Sequence, residues 1–216
     1  MTAIVRNHID LPRLDRFADG LMQTLFLGDP FRVSAGPDDP ASSCAIPRVI
    51  GLVGTLGAGK TRLTQAIASA LGIDVAAVTS PTFTLVQTHR GHLHTEADET
   101  LVIELHHVDA YRIADEDEWF EAGMEELLEP VAPSTSAGPR LAAPASLPLV
   151  VIEWADRFES LMPPQTLWVH LDWDPDDSVA RDASSDPSAR RRLTILGSPL
   201  RNEFVRDRLA APEDPE

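Results

Sequence analysis

The sequence predicts an α/β fold, with one mostly parallel central sheet flanked by helices and some antiparallel strands. Three observations predict it. The runs "RVIGLV" (48–53), "LVIELHHVD" (101–109) and "LVVIEW" (149–154) are nearly continuous in apolar residues, as strands buried on both faces are. The first of them passes through three glycines straight into a segment with Leu63, Ile67, Ala70 and Leu71 on one helical face. Two of these runs carry an acid where the strand should close, Asp109 after "LVIELHHV" and Glu153 after "LVVI". In an open α/β sheet the carboxyl ends of the strands are where ligands gather.

Taken in order, "LPRLDRFADGLMQTLF" (11–26) places Leu14, Phe17, Ala18, Leu21 and Leu25 at helical spacing and predicts an amphipathic helix. The turn-rich stretch to Pro47 reads as a flexible connection. After the 61–71 helix, "SPTFTLVQTH" (80–89) reads as a loop entering a strand, and "RGHLHTEADE" (90–99) as a polar hairpin loop. "EDEWFEAGMEELLE" (116–129) predicts a short acidic helix, and "PVAPSTSAGPRLAAPASLP" (130–148) a loosely held insertion. "TLWVHLDW" (166–173) and "RRLTIL" (191–196) predict later strands, and "RNEFVRDRLA" (201–210) a closing helix. The expected organisation is one domain over 1–216, with its core at about 10–30 and 48–209. Flexible insertions are expected at 31–47, 88–100, 132–147 and 174–188, and a disordered tail at 210–216.

Bulk properties narrow the function classes. The 216 residues carry 34 acidic and 18 basic side chains, a net charge of −16. Such a surface repels phosphate backbones, so broad capture of DNA or tRNA is not expected, although a local basic pocket remains compatible. Cys44 is the single cysteine, which rules out a disulfide within the chain and a thiolate metal cluster. No apolar run approaches the ~20 residues that span a bilayer, and the first residues lack a secretory pattern. The expectation is a soluble cytoplasmic protein without a membrane partner.

Residues 54–61, "GTLGAGKT", fit G-x-x-x-x-G-K-[ST], the phosphate-binding P-loop. Backbone N–H groups converge on phosphate oxygens only where side chains do not obstruct them, so glycines are favoured. The helix that follows adds its unpaired amides and the positive end of its dipole. Lys60 would reach the β- and γ-phosphates, and the Thr61 hydroxyl would ligate Mg²⁺. The alternative is a glycine-rich turn that happens to carry Lys-Thr, which the full match in a strand–loop–helix context disfavours. The fold is therefore expected to be a single P-loop NTPase-like domain.

Asp109 and Glu153 are candidates to face the metal, or are surface carboxylates that happen to follow strands. Ser80, Thr82 and Thr84 offer hydroxyls in a loop placed where a γ-phosphate sensor could lie, or serve β propensity. Trp154 packs in the core, stacks on a base or meets a partner, core packing being the usual fate of such a residue. His89, His92 and His94 read as a solvated loop rather than a zinc site. Arg190, Arg191 and Arg192 edge a strand or meet phosphates.

Together "GTLGAGKT", "SPTFTLV", "HHVDAYR", "GMEELL" and "LVVIEWADR", in that order, resemble the bacterial TsaE (YjeE) family, weakly over 10–30 and well over 48–196. The resemblance implies a Mg²⁺-dependent ATPase needed for threonylcarbamoyladenosine in tRNA. It would act on the complex of TsaD and TsaB, resetting it by ATP turnover and touching tRNA only indirectly. Carried over, Leu56, Gly57, Ala58, Gly59, Lys60 and Thr61 would hold the phosphates. Thr61 and Glu153 would ligate Mg²⁺, with Asp109 a further metal or water-positioning carboxylate. Ser80 and Thr82 fall in the switch-like loop, Thr82 with a catalytic role. Trp154 falls at the family's functional tryptophan, which favours a nucleotide- or partner-facing position. The chain departs at Thr55, where the family has Asp. The rival readings are a small-molecule kinase, which would need an arginine-bearing lid, and a nucleotide-dependent docking module that does not hydrolyse.

Overall fold

Side chains alternate across a strand, so the parity of each residue decides which side of the sheet it serves. The computed structural model describes residues 3–27, 48–81, 84–94, 100–129, 146–175 and 190–211. Its strands are β1 (Ile4–Ile9), β2 (Arg48–Val53), β3 (Val86–His94), β4 (Thr100–Asp109), β5 (Leu147–Glu153), β6 (Leu167–Trp173) and β7 (Arg191–Leu196). Its α-helices are α1 (Leu11–Leu27), α2 (Lys60–Ala70), α3 (Glu116–Glu121) and α4 (Glu203–Ala210). All the strands join one sheet in the order β1-β7-β6-β2-β5-β4-β3. Its centre, β6-β2-β5-β4, is parallel, and β3, β7 and β1 add antiparallel pairings at the edges.

The two faces of the sheet bury different sets. Leu149 and Val151 of β5 and Ile103 and Leu105 of β4 pack with Leu63 and Ile67 of α2 and with Leu14, Leu21 and Leu25 of α1. Val150, Ile152 and Val108 point the other way, against Trp119 of α3 and Phe158. Each helix therefore meets an apolar stripe already specified by strand parity. Leu14, Phe17, Ala18, Leu21 and Leu25, the five residues that predicted α1, are all buried. Asp10 caps that helix by accepting from the Arg13 N–H at 2.9 Å.

Two differences from the sequence expectation have physical causes. β1 was not foreseen, because only Ile4 and Ile9 at its ends are buried and no alternation shows. Its register on β7 is interrupted between Arg6 and Ile9, where His8 has a φ of 59°. The second concerns residues 90–94, expected in a hairpin loop. They belong to β3, which pairs residue by residue with β4 from Val86↔Val108 to His94↔Thr100. Leu93 is buried and the amide of His92 donates to the Leu71 carbonyl at 2.8 Å. Tertiary packing at the end of α2 thus carries the strand through a polar sequence. His89, His92 and His94 consequently stand on a strand and not in a loop.

The expected insertions at 31–47 and 132–147 and the tail expected at 210–216 fall mostly outside the described residues, as does most of 174–188, while Ala210 ends α4. No helix among the described residues is long and apolar enough to cross a membrane.

Candidate nucleotide site

β2 delivers the chain to the sheet's carboxyl edge and α2 takes it away, and the turn between them is built from backbone. Gly54, Gly57 and Gly59 all have positive φ. At Gly54 a Cβ would lie 2.2 Å from the Leu171 carbonyl, and at Gly59 2.8 Å from Arg191 Nε, so neither position accepts a side chain. Thr55, Leu56 and Gly57 are exposed at the crest while Ala58 is fully buried. Gly59 precedes α2 in a left-handed conformation, and no side chain caps the helix. The first-turn amides of α2 are thereby left to an anion.

Lys60 lies only 5% exposed at the head of α2. Its ammonium donates to the carbonyls of Gly54 at 2.7 Å and Thr55 at 3.0 Å. Burial pushes the ammonium below its ordinary pKa, and the charges of Glu153, Asp109 and Asp156 work against that shift. Those carboxylates give a positive charge a reason to stay in a buried place.

Parity places both acids. Asp109 has the parity of Ile103 and Leu105, and Glu153 that of Leu149 and Val151, so both look toward α2. They are also direct neighbours in the β4–β5 register, Asp109↔Glu153. The Thr61 hydroxyl donates to Glu153 Oε2 at 3.0 Å. The Ser80 hydroxyl donates to Asp109 Oδ2 at 2.9 Å, and the Tyr111 N–H to Asp109 Oδ1 at 3.1 Å. Glu153 is 3% and Asp109 8% exposed, an unusual degree of burial for carboxylates.

The set of donors fits magnesium. Thr61 and Glu153 supply hard oxygens beside the glycine-rich loop, and Asp109 adds a carboxylate in the adjacent register. Among the described residues no group of three His, Cys, Asp or Glu side chains forms a protein-only cage. Magnesium is commonly held by one or two carboxylates together with substrate phosphates.

Trp154 departs from the core packing usual for such a residue. It is half-buried and takes a left-handed backbone, φ 60° and ψ 33°, a costly conformation for a bulky side chain. That bend carries its ring over Lys60, with Nζ 3.5 Å from the ring centroid, a cation–π contact. The Tyr111 ring also packs against it, tilted by 45° at 5.0 Å between centroids. Thr82 lies outside the described residues.

Arg191, read in the sequence only as part of an arginine run, and His107 each find a partner here that the sequence did not assign. Arg191 of β7 is 6% exposed and its Nε donates to the Ala58 carbonyl at 3.0 Å, bracing the loop from behind. Arg192 instead bonds Asn7 at 2.9 Å, so the arginine run edges a strand. His107 of β4 is fully buried, with Nε2 2.8 Å from Glu153 Oε1. Its spacing of two from Asp109 was the available signal, since that puts both on one face.

Residues 38–182 match the family model described as "Threonylcarbamoyl adenosine biosynthesis protein TsaE". The chain is 32% identical over 123 residues to a Treponema pallidum protein named tRNA threonylcarbamoyladenosine biosynthesis protein TsaE, covering 57% of this chain and 71% of that one. A Bacillus subtilis protein of the same name is 31% identical over 121 residues, covering 56% of this chain and 59% of its own length. In fold, the chain resembles the crystal structure of Bacillus subtilis YdiB, with a TM-score of 0.52 at 20% identity over 97% of this chain and 95% of that one.

Proposed function

Because the chain belongs to the TsaE family of threonylcarbamoyl adenosine biosynthesis proteins, we propose that it binds and hydrolyses ATP at the 54–61 loop in support of threonylcarbamoyladenosine modification of tRNA. The observation that carries this reading is the 3.0 Å contact of Thr61 with Glu153 beside the buried ammonium of Lys60.

In this reading the loop amides of residues 56–61 and the first turn of α2 receive the β- and γ-phosphates. Lys60 exchanges its two carbonyl partners for phosphate oxygens and stabilises the charge that develops there. Thr61 and Glu153 hold Mg²⁺, which neutralises charge on the same oxygens. Asp109, oriented by Ser80 and by the Tyr111 amide, positions either the metal's surroundings or the attacking water. Ser80 joins the loop before β3 to the site, so occupancy can be felt in that loop. The partners we infer are homologues of TsaD and TsaB, and the acidic surface suits docking on protein rather than gripping tRNA.

Nucleoside analysis of tRNA from cells depleted of this protein tests the pathway, with loss of threonylcarbamoyladenosine expected. Lys60→Ala should abolish ATP binding measured by calorimetry. Glu153→Ala separates hydrolysis from mere docking: retained ATP binding with lost modification supports hydrolysis as the essential step, and normal modification counts against it.

A further inference from the structure

His107 is fully buried, yet among the described residues it makes one of the two side-chain hydrogen bonds to Glu153. Its Nε2 lies 2.8 Å from Glu153 Oε1, while Thr61 donates to Oε2 at 3.0 Å. The other ring nitrogen, Nδ1, is buried and has no hydrogen-bond partner. An unprotonated Nε2 would set its lone pair against a carboxylate oxygen 2.8 Å away, whereas a proton on Nε2 is accepted by that carboxylate. The ring's proton therefore belongs on Nε2, and His107 donates to Glu153.

Backbone placement makes this bond rigid. His107 is paired across the sheet with Gln87 on one side and Val151 on the other, near the carboxyl end of β4. Glu153 ends β5, so the bond crosses between two parallel strands and leaves the carboxylate little freedom to turn. A carboxylate with Oε1 committed in this way presents Oε2 in a fixed direction, toward Thr61. Fixing a metal-binding carboxylate through a hydrogen bond to its far oxygen tunes metal affinity.

We propose that His107 is a positioning residue, which holds the Glu153 carboxylate so that Oε2 and the Thr61 hydroxyl are preset for a divalent cation accompanying a nucleoside triphosphate. The inference rests on the magnesium–nucleotide reading of the site. It assigns His107 a role in metal capture and none in gripping the phosphates.

The experiment compares wild type with His107→Leu, which removes the donor, and His107→Gln, whose side-chain amide reaches about as far as Nε2. Binding of ATP is measured by calorimetry in chelator, and Mn²⁺ binding to the protein–ADP complex by electron paramagnetic resonance. Thermal melts confirm folding. For His107→Leu the expected result is metal-free ATP affinity within about twofold of wild type and Mn²⁺ affinity lowered about tenfold or more, with His107→Gln restoring most of it. If His107→Leu does not fold, His107→Asn takes its place, since its amide is one carbon short, and the same loss is expected against His107→Gln.

Unchanged Mn²⁺ affinity in the donor-less variant overturns the proposal. An equal fall in metal-free ATP affinity also overturns it, because that pattern belongs to a general structural role. A wild-type protein that binds ATP neither with nor without metal brings down the nucleotide reading itself, and this inference with it.

Discussion

Lys60 and Trp154 carry the sharpest consequence at the scale of single residues. The indole ring covers the ammonium at 3.5 Å, and phosphate oxygens would claim that same charge. Nucleotide binding should therefore disturb the stack. Adding ATP is expected to change the tryptophan fluorescence of wild type, and the change should vanish in Trp154→Phe although three other tryptophans remain. Gly54 makes a second prediction. A Cβ there meets the Leu171 carbonyl at 2.2 Å at a φ of 151°, so Gly54→Ala should lower stability by about 2 kcal/mol or more in urea unfolding. The loop was legible in the sequence because its chemistry is local: glycines, Lys60 and Thr61 act within eight residues. His107 and Arg191 were not, because each acts on a partner far along the chain, 46 and 133 positions away. Trp154 was half legible. Its residue type suggested core packing, and only the left-handed turn after β5 brings it out over the lysine.

Among the elements, those with a strong period were readable and those made by their neighbours were not. α1, β2, β4, β5 and α2 each advertise their buried face. β1 does not, and it is held by contacts from elsewhere: the Arg6 guanidinium donates to the Leu209 carbonyl at 3.0 and 2.6 Å and to the Ala211 carbonyl at 2.6 Å. These charge-assisted bonds cap the carbonyl end of α4 and lean on the Phe17 ring of α1. Arg6→Met should lower stability by about 1.5–3 kcal/mol, measured by urea unfolding, while ATP affinity stays at the wild-type value because the site lies at the other members of the sheet. β3 shows the same limit from the opposite side. Its outer half is polar in sequence, and it forms because β4 and the end of α2 offer it partners.

For the molecule as a whole, half-buried histidines set a pH dependence. Burial pulls His106 below its ordinary pKa, with Glu104 opposing, and burial pulls His89 down too, reinforced by His107. The unfolded chain takes up protons on these groups near pH 6.5, whereas the folded protein resists until lower pH. Unfolding then absorbs protons, and stability falls with acidification. The urea midpoint should be lower at pH 5.5 than at pH 7.5, and His106→Gln should flatten part of that slope. Asp19, pushed up by burial and by Asp15, contributes with the opposite sign. The pairing of Asp109 with Glu153 across β4 and β5 has one more consequence. A chain that zipped those strands one residue out of step would turn one acid to the far side of the sheet. Such a molecule would be silent rather than sluggish, so the turnover of a preparation would count its correctly assembled copies.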